Sequence, residues 1–153
     1  MKLSQLENNI KNKKSFLCLG LDTDIDKIPK HLLDNSDPVF EFNKVLIDEL
    51  NKKIVAVKLN TAFYESRGAE GWTSMKKTIN YLNKYYPELF TIADAKRGDI
   101  GNTSKMYAKA FFENLNFDSI TLSPYMGMDT VSEFMDYEEK YPIILALTSN
   151  QGA

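Results

Sequence analysis

Asp94, Lys96 and Asp99 follow one another as D-x-K-x-x-D inside Thr91-Ile92-Ala93-Asp94-Ala95-Lys96-Arg97-Gly98-Asp99-Ile100-Gly101-Asn102-Thr103. An apolar run ends here in a carboxylate, an ammonium and a second carboxylate. Residues two apart in a strand share a face, so Asp94 and Lys96 are expected side by side. Gly98 frees the backbone to turn. Asp99 suits the start of a following helix. Opposite charges at the end of a buried strand are costly unless they are paired or used. A structural ion pair accounts for an isolated D-x-K, because buried pairs need not be functional. Companions at other strand ends argue for more.

The elements that must position these groups can be read from periodicity. Leu3, Leu6 and Ile10 mark a short amphipathic helix over 3–13. Buried strands are predicted over 16–22, 54–60, about 89–95, 118–123 and 142–148. Residues 23–37 read as loop, punctuated by Pro29, Asn35 and Asp37. Helices are predicted over about 38–52, 71–85, 102–115 and 128–140, with 67–71 as loop and Pro87 as a stop.

Short apolar strands alternating with helices imply repeated βαβ units and a parallel sheet. Leu17, Leu19 and Leu21 share one face of the first strand; Cys18, Gly20 and Asp22 share the other. Val55, Val57 and Leu59 oppose Ala56, Lys58 and Asn60; Ile120 and Leu122 oppose Ser119, Thr121 and Ser123; Ile143, Leu145 and Leu147 oppose Ile144, Ala146 and Thr148. This pattern fits strands packed outward on helices with polar groups at their C-terminal ends. Active sites of parallel α/β folds collect there, above all in (β/α)8 barrels. A doubly wound open sheet is the alternative, but Gly20-Leu21-Asp22-Thr23 is not the glycine-rich turn that such sheets usually use.

The strand ends thus offer Asp22, Lys58, Asn60, Asp94, Lys96 and Thr148. Alternating lysines and aspartates hold each ammonium between carboxylates and keep it protonated. A rigid protonated lysine can stabilise a developing carbanion and then protonate it. A neighbouring carboxylate can crowd a substrate carboxylate and favour its loss as CO2. The bulk properties bound the rest. The chain has 153 residues, enough for one domain with a sizeable core. A net charge of -2 signals neither a nucleic-acid nor a membrane surface. The lone Cys18 excludes an internal disulfide and is expected to be a buried, inert thiol. The lone His31 argues against a zinc site. The N-terminus lacks the apolar core of a signal peptide, which suggests a cytoplasmic protein.

The string Asp94-Ala95-Lys96-Arg97-Gly98-Asp99-Ile100-Gly101-Asn102-Thr103 resembles the signature of the orotidine 5′-phosphate decarboxylase family. Leu19-Gly20-Leu21-Asp22, Val57-Lys58-Leu59-Asn60, Thr121-Leu122-Ser123-Pro124-Tyr125-Met126-Gly127 and Leu147-Thr148-Ser149-Asn150 are similar to that family in matching order. The resemblance implies a (β/α)8 TIM barrel that converts orotidine 5′-monophosphate (OMP) to UMP in pyrimidine biosynthesis, without cofactor or metal. It implies Lys96 as proton donor, with Lys58, Asp94 and Asp99 completing the charged array. Asp22 and Lys58 would hold the ribose hydroxyls, with Asn60 nearby. Thr148 and Ser149 fall where the family contacts the pyrimidine. Asp99, Ile100 and Thr103 would reach the neighbouring site of a homodimer.

The departure is length. Residues 1–153 read as a single domain that supplies about the first five βα units of the barrel. The resemblance places three more units, and a phosphate grip from a glutamine and an arginine, beyond Ala153; Gln151 comes too early in the order to serve. Five strands leave a barrel open, with two exposed edges. The expected source is a longer enzyme. Rival readings are a Mg²⁺-dependent barrel enzyme such as a 3-keto-gulonate-phosphate decarboxylase or a hexulose-phosphate synthase, a Schiff-base aldolase, and a catalytically silent fragment that binds nucleotide. Lys58 stands where the first rival needs an acidic ligand, and a hard cation wants oxygen donors. Flanking carboxylates oppose the second by keeping the lysines protonated.

Overall fold

Each apolar run becomes a strand because its alternate residues bury on a helical layer. The computed structural model describes residues 1–152. Its strands are β1 (Cys18–Gly20), β2 (Ala56–Asn60), β3 (Phe90–Arg97), β4 (Ser119–Leu122) and β5 (Tyr141–Ile144). They form one parallel sheet in the order β1-β2-β3-β4-β5. The helices are α1 (Leu3–Lys13), α2 (Pro38–Leu50), α3 (Thr61–Glu65), α4 (Gly68–Tyr85), α5 (Gly101–Ala108) and the short α6 (Ser132–Met135). A π turn over Lys109–Asn114 continues α5.

The core lies between the sheet and its helices. Val57, Leu59, Ala93, Ile120 and Leu122 bury there from the strands. Ile47 of α2, Met75, Ile79 and Leu82 of α4, and Phe111, Phe112 and Phe134 meet them. Each fully buried aliphatic chain contributes about 1.5–3 kcal/mol relative to exposure. Two local signals fix helix ends. Pro38 opens α2 and the Asp37 side chain accepts the Phe40 N–H at 3.1 Å. Pro87 follows just after α4 ends.

The structure corrects several expectations. The segment expected as loop at 67–71 is mostly helix: α3 caps itself on Asn60, and α4 begins at Gly68. Gly71 within it is required by close packing, since a Cβ there would lie 1.8 Å from the Tyr64 carbonyl oxygen. The helix expected over 128–140 shrinks to a 3-10 turn at Met128–Thr130 and the single turn of α6. β5 ends at Ile144, so Thr148 is not on a strand. The face assignment of β5 also reverses. Thr121 pairs in register with Ile143, and Leu122 with Ile144. Register partners in adjacent parallel strands share a face, so Ile143 lies with Thr121, away from the helices. Cys18 is exposed rather than buried. It shares the sheet face of Lys58 through its pairing with Ala56.

Candidate active site

Asp22, Lys58, Asp94 and Lys96 meet at the C-terminal ends of β1, β2 and β3. Lys58 Nζ lies 3.3 Å from Asp22 Oδ1 and 3.2 Å from Asp94 Oδ2. Lys96 Nζ lies 2.6 Å from Asp94 Oδ1. The result is a continuous line of alternating charge, Asp22–Lys58–Asp94–Lys96. Its centre is the most enclosed part: the Asp94 side chain is 12% exposed, that of Lys58 31% and that of Lys96 51%. Lys96 is therefore the more accessible of the two cations, and Asp94 is the enclosed carboxylate that both share.

Burial pushes the Asp94 carboxyl upward, but hydrogen bonds from Lys96, Lys58 and Thr121 outweigh it and hold the group below the usual carboxylate range. Burial lowers Lys58, while Asp94 and Asp22 more than offset this and leave it raised. Both groups are charged at neutral pH.

Lys96 reaches Asp94 by an irregular route. Between two register pairs, β3 advances from Ala93 to Arg97 while β4 advances only from Ile120 to Leu122. This bulge holds Asp94, Ala95 and Lys96. Lys96 adopts φ +48°, a left-handed conformation rare for a side-chain-bearing residue. Such backbone costs about 1–3 kcal/mol and persists only where surroundings impose it. Here the Lys96 N–H donates to Thr121 Oγ1 at 2.9 Å, and that hydroxyl donates to Asp94 Oδ1 at 3.0 Å.

The chain then returns to regular pairing at Arg97, whose carbonyl accepts the Ser123 N–H at 2.7 Å. Gly98 packs against that junction: a Cβ would lie 2.6 Å from the Ser123 carbonyl oxygen. Arg97 itself turns away from the site. It pairs with Glu65 and stacks 5.3 Å from the Tyr107 ring centre and 5.7 Å from that of Phe111. Despite its place in the motif, its contacts tie β3 to α3 and α5.

Asp22 is set by the backbone on either side of it. Tyr64 Oη donates to the Leu21 carbonyl at 2.9 Å, and Thr23 Oγ1 donates to Asn43 Oδ1 at 2.5 Å. Asn43, fully buried, donates in turn to Tyr64 Oη at 3.0 Å and Thr78 Oγ1 at 3.1 Å. One network from α2, α3 and α4 thus fixes the turn that carries Asp22.

Asn60 is the register neighbour of Asp94 on β2, beside the line; its Oδ1 accepts the Ala62 N–H at 3.2 Å and caps α3. The other candidates lie apart from this line. Asp99 Oδ1 accepts the Ile100 N–H at 2.8 Å and makes no ion pair among the described residues. Ile100 is 48% exposed, and Thr103 is exposed on the first turn of α5. Thr148 Oγ1 donates to Asn150 at 2.6 Å, and both Thr148 and Ser149 are exposed beyond β5. Sequence reasoning passed over Thr121, Asn43 and Tyr64. Thr121 was visible as a polar residue on the correct face of β4, but its partners depend on the bulge. Asn43 carries no sequence signal beyond being a polar residue within α2.

The family model for orotidine 5′-phosphate decarboxylase/HUMPS matches residues 15–153. The chain belongs to the orotidine 5′-phosphate decarboxylase/HUMPS family. An orotidine 5′-phosphate decarboxylase from Flavobacterium johnsoniae is 62% identical over all 153 residues, which make up 56% of that relative. One from Bacteroides fragilis is 60% identical, again over the whole chain and 56% of the relative. The solved structure of Leishmania donovani OMP decarboxylase superposes on 98% of this chain and 55% of its own, with a TM-score of 0.83 and 37% identity. The chain spans about half the length of the curated relatives it matches. Its parallel sheet corresponds to part of the TIM barrel of the OMP decarboxylase fold.

Proposed function

We propose that the protein decarboxylates orotidine 5′-monophosphate to UMP, as part of a complete barrel, and that it works as a cytoplasmic homodimer. The observation that carries this reading is Lys58 seated between Asp22 and Asp94, with Lys96 on the far side of Asp94. Lys58 Nζ occupies the place between the carboxylates that a divalent cation would need, which favours this reaction over the metal-dependent chemistry of barrel relatives. The relatives from F. johnsoniae and B. fragilis carry the decarboxylase name.

In the proposed reaction the bond between pyrimidine C6 and its carboxylate breaks, CO2 leaves, and the electron pair stays on C6. The Lys96 ammonium stabilises that charge and transfers a proton to C6, giving UMP; solvent then reprotonates the amine. Asp94 orients Lys96 and, facing the departing carboxylate, disfavours its retention. Asp22 and Lys58 bind the ribose hydroxyls. Asn60, Thr148 and Ser149 line the nucleotide site at longer range. Asp99, Ile100 and Thr103 serve the partner's site, a role supported by the exposure of Ile100 and Thr103 and by the lack of an ion pair for Asp99 among the described residues.

The test is direct. Purified full-length protein is incubated with orotidine 5′-monophosphate alone, and UMP and CO2 are measured. Stoichiometric release of both is expected. No release, with the nucleotide bound, would reject the assignment in favour of a binding role.

A further inference from the structure

A bulged strand leaves backbone groups without ladder partners, and each buried one must be satisfied elsewhere. In β3 the Lys96 N–H falls inside the bulge and finds a side-chain hydroxyl rather than a strand carbonyl. That hydroxyl belongs to Thr121, which is 8% exposed on the adjoining strand. Its single proton points to Asp94 Oδ1, the oxygen that also receives the Lys96 ammonium. One hydroxyl therefore touches both ends of the Lys96 unit: the amide that sets the backbone and the carboxylate that sets the ammonium.

We propose that Thr121 is a positioning residue for decarboxylation, holding Lys96 in its left-handed conformation and Asp94 in the rotamer that aims the ammonium. The inference rests on the decarboxylase reading and extends it to a residue on β4. A valine at this position would preserve the shape and remove the donor and the acceptor together. Lys96 could then relax toward ordinary strand geometry, and its Nζ would leave the reacting carbon. Nucleotide binding, which depends on groups elsewhere, would change little.

The experiment compares Thr121→Val and Thr121→Ser in the full-length protein. Thr121→Val is expected to lower kcat about tenfold or more, the scale of a lost hydrogen bond to a charged group, while KM moves less than about threefold. Thr121→Ser, which keeps the hydroxyl, is expected within about threefold of the parent kcat. A Thr121→Val enzyme within about twofold of the parent would overturn the proposal. So would a serine variant as impaired as the valine one, since that marks lost packing. If the valine variant does not fold, Thr121→Ser and Thr121→Ala decide: equal kcat in both refutes a hydroxyl role. Hydrogen exchange at the Lys96 amide gives a readout independent of turnover. It should be slow in the parent and the serine variant and fast in Thr121→Val. If the three proteins show this pattern yet the parent releases no CO2, the decarboxylase reading is refuted and the hold of Thr121 on Lys96 still stands. A parent that decarboxylates, with unchanged exchange in Thr121→Val, would refute that hold alone.

Discussion

Lys96 donates to Asp94 at 2.6 Å although the chain joining them has left regular strand geometry. Strand alternation alone would pair these residues, but the structure achieves the pairing through a bulge and a left-handed lysine. Lys96→Ala in the full-length protein should abolish decarboxylation and leave the fold intact, because the Lys96 side chain is half exposed. Nucleotide affinity should fall far less than kcat, since the ammonium acts mainly on the charge that develops at C6. Steady-state kinetics and a thermal melt check this. A loss of only a few-fold with a native melt would remove Lys96 as proton donor.

Asp99 sits beyond the bulge and joins no ion pair among the described residues. If it completes the site of a second subunit, two inactive variants should rescue each other. Mixing Lys96→Ala with Asp99→Ala puts both lesions in one site of a mixed dimer and neither in the other. Activity should return to at most about half of the parent level per mixed dimer, by two-fold symmetry. A mixture still inactive after confirmed subunit exchange would place Asp99 in its own barrel.

The pH dependence follows from Asp94. Its folded carboxyl titrates below the usual range, so the unfolded chain binds its proton first as pH falls. Its stabilising contribution is thus fully present above about pH 4, the ordinary carboxylate value, and is lost as pH drops through the lowered folded value. The melting-temperature gap between the parent and Asp94→Asn should be flat from neutrality to about pH 5 and shrink below pH 4. A gap that closes near neutrality would contradict the charge line.

Much of this arrangement was legible in the residues. Val57, Lys58 and Leu59 alternate cleanly, and β2 places them as that pattern requires. Asp94 and Lys96 were paired correctly, though by a simpler route than the real one. What stayed hidden depended on contacts between distant segments. Thr121 matters only because β3 bulges opposite it. The helix at Gly68 was masked by two glycines, one at positive φ and the other packed on Tyr64. Thr148 lies off the sheet because the apolar run Ile143–Leu147, which favours a longer strand, pairs only as far as Ile144. Cys18 lies in an apolar run, which favours burial, yet it is exposed on the face that also carries Lys58.

Asn43 supports the site from beneath. Asn43→Leu removes partners from the hydroxyls of Thr23, Tyr64 and Thr78, all buried. Thr23 loses its partner outright, whereas Tyr64 and Thr78 keep the bonds they donate to the Leu21 and Ser74 carbonyls; one buried hydroxyl left unpaired costs about 1–3 kcal/mol. The unfolding free energy of the variant, measured in urea, should fall by about that amount. In any folded fraction, KM should rise more than kcat falls, because Asp22 is the group displaced. Equal stability of the two proteins in urea would show that the network is dispensable.

The activity should need no divalent metal. Lys58 and Lys96 already balance the charges of Asp22 and Asp94. Exhaustive chelation should leave turnover unchanged; loss that Mg²⁺ restores would move the protein to the metal-dependent branch of its barrel relatives.

Every strand in this sheet lies beside the one made just before it. A ribosome releasing the chain would therefore never have to leave a strand waiting for a distant partner, and β1 to β3 could dock as they emerge. All four charges of the line are on the chain by residue 96, well before Thr121 has been synthesised. The bulge would close last, when β4 arrives to seat it. Nascent chains of the full-length protein, arrested so that residues 1–100 or residues 1–125 have cleared the exit tunnel, would reveal that order: protection of β2 should be present in both, and protection of the Lys96 amide only in the longer one.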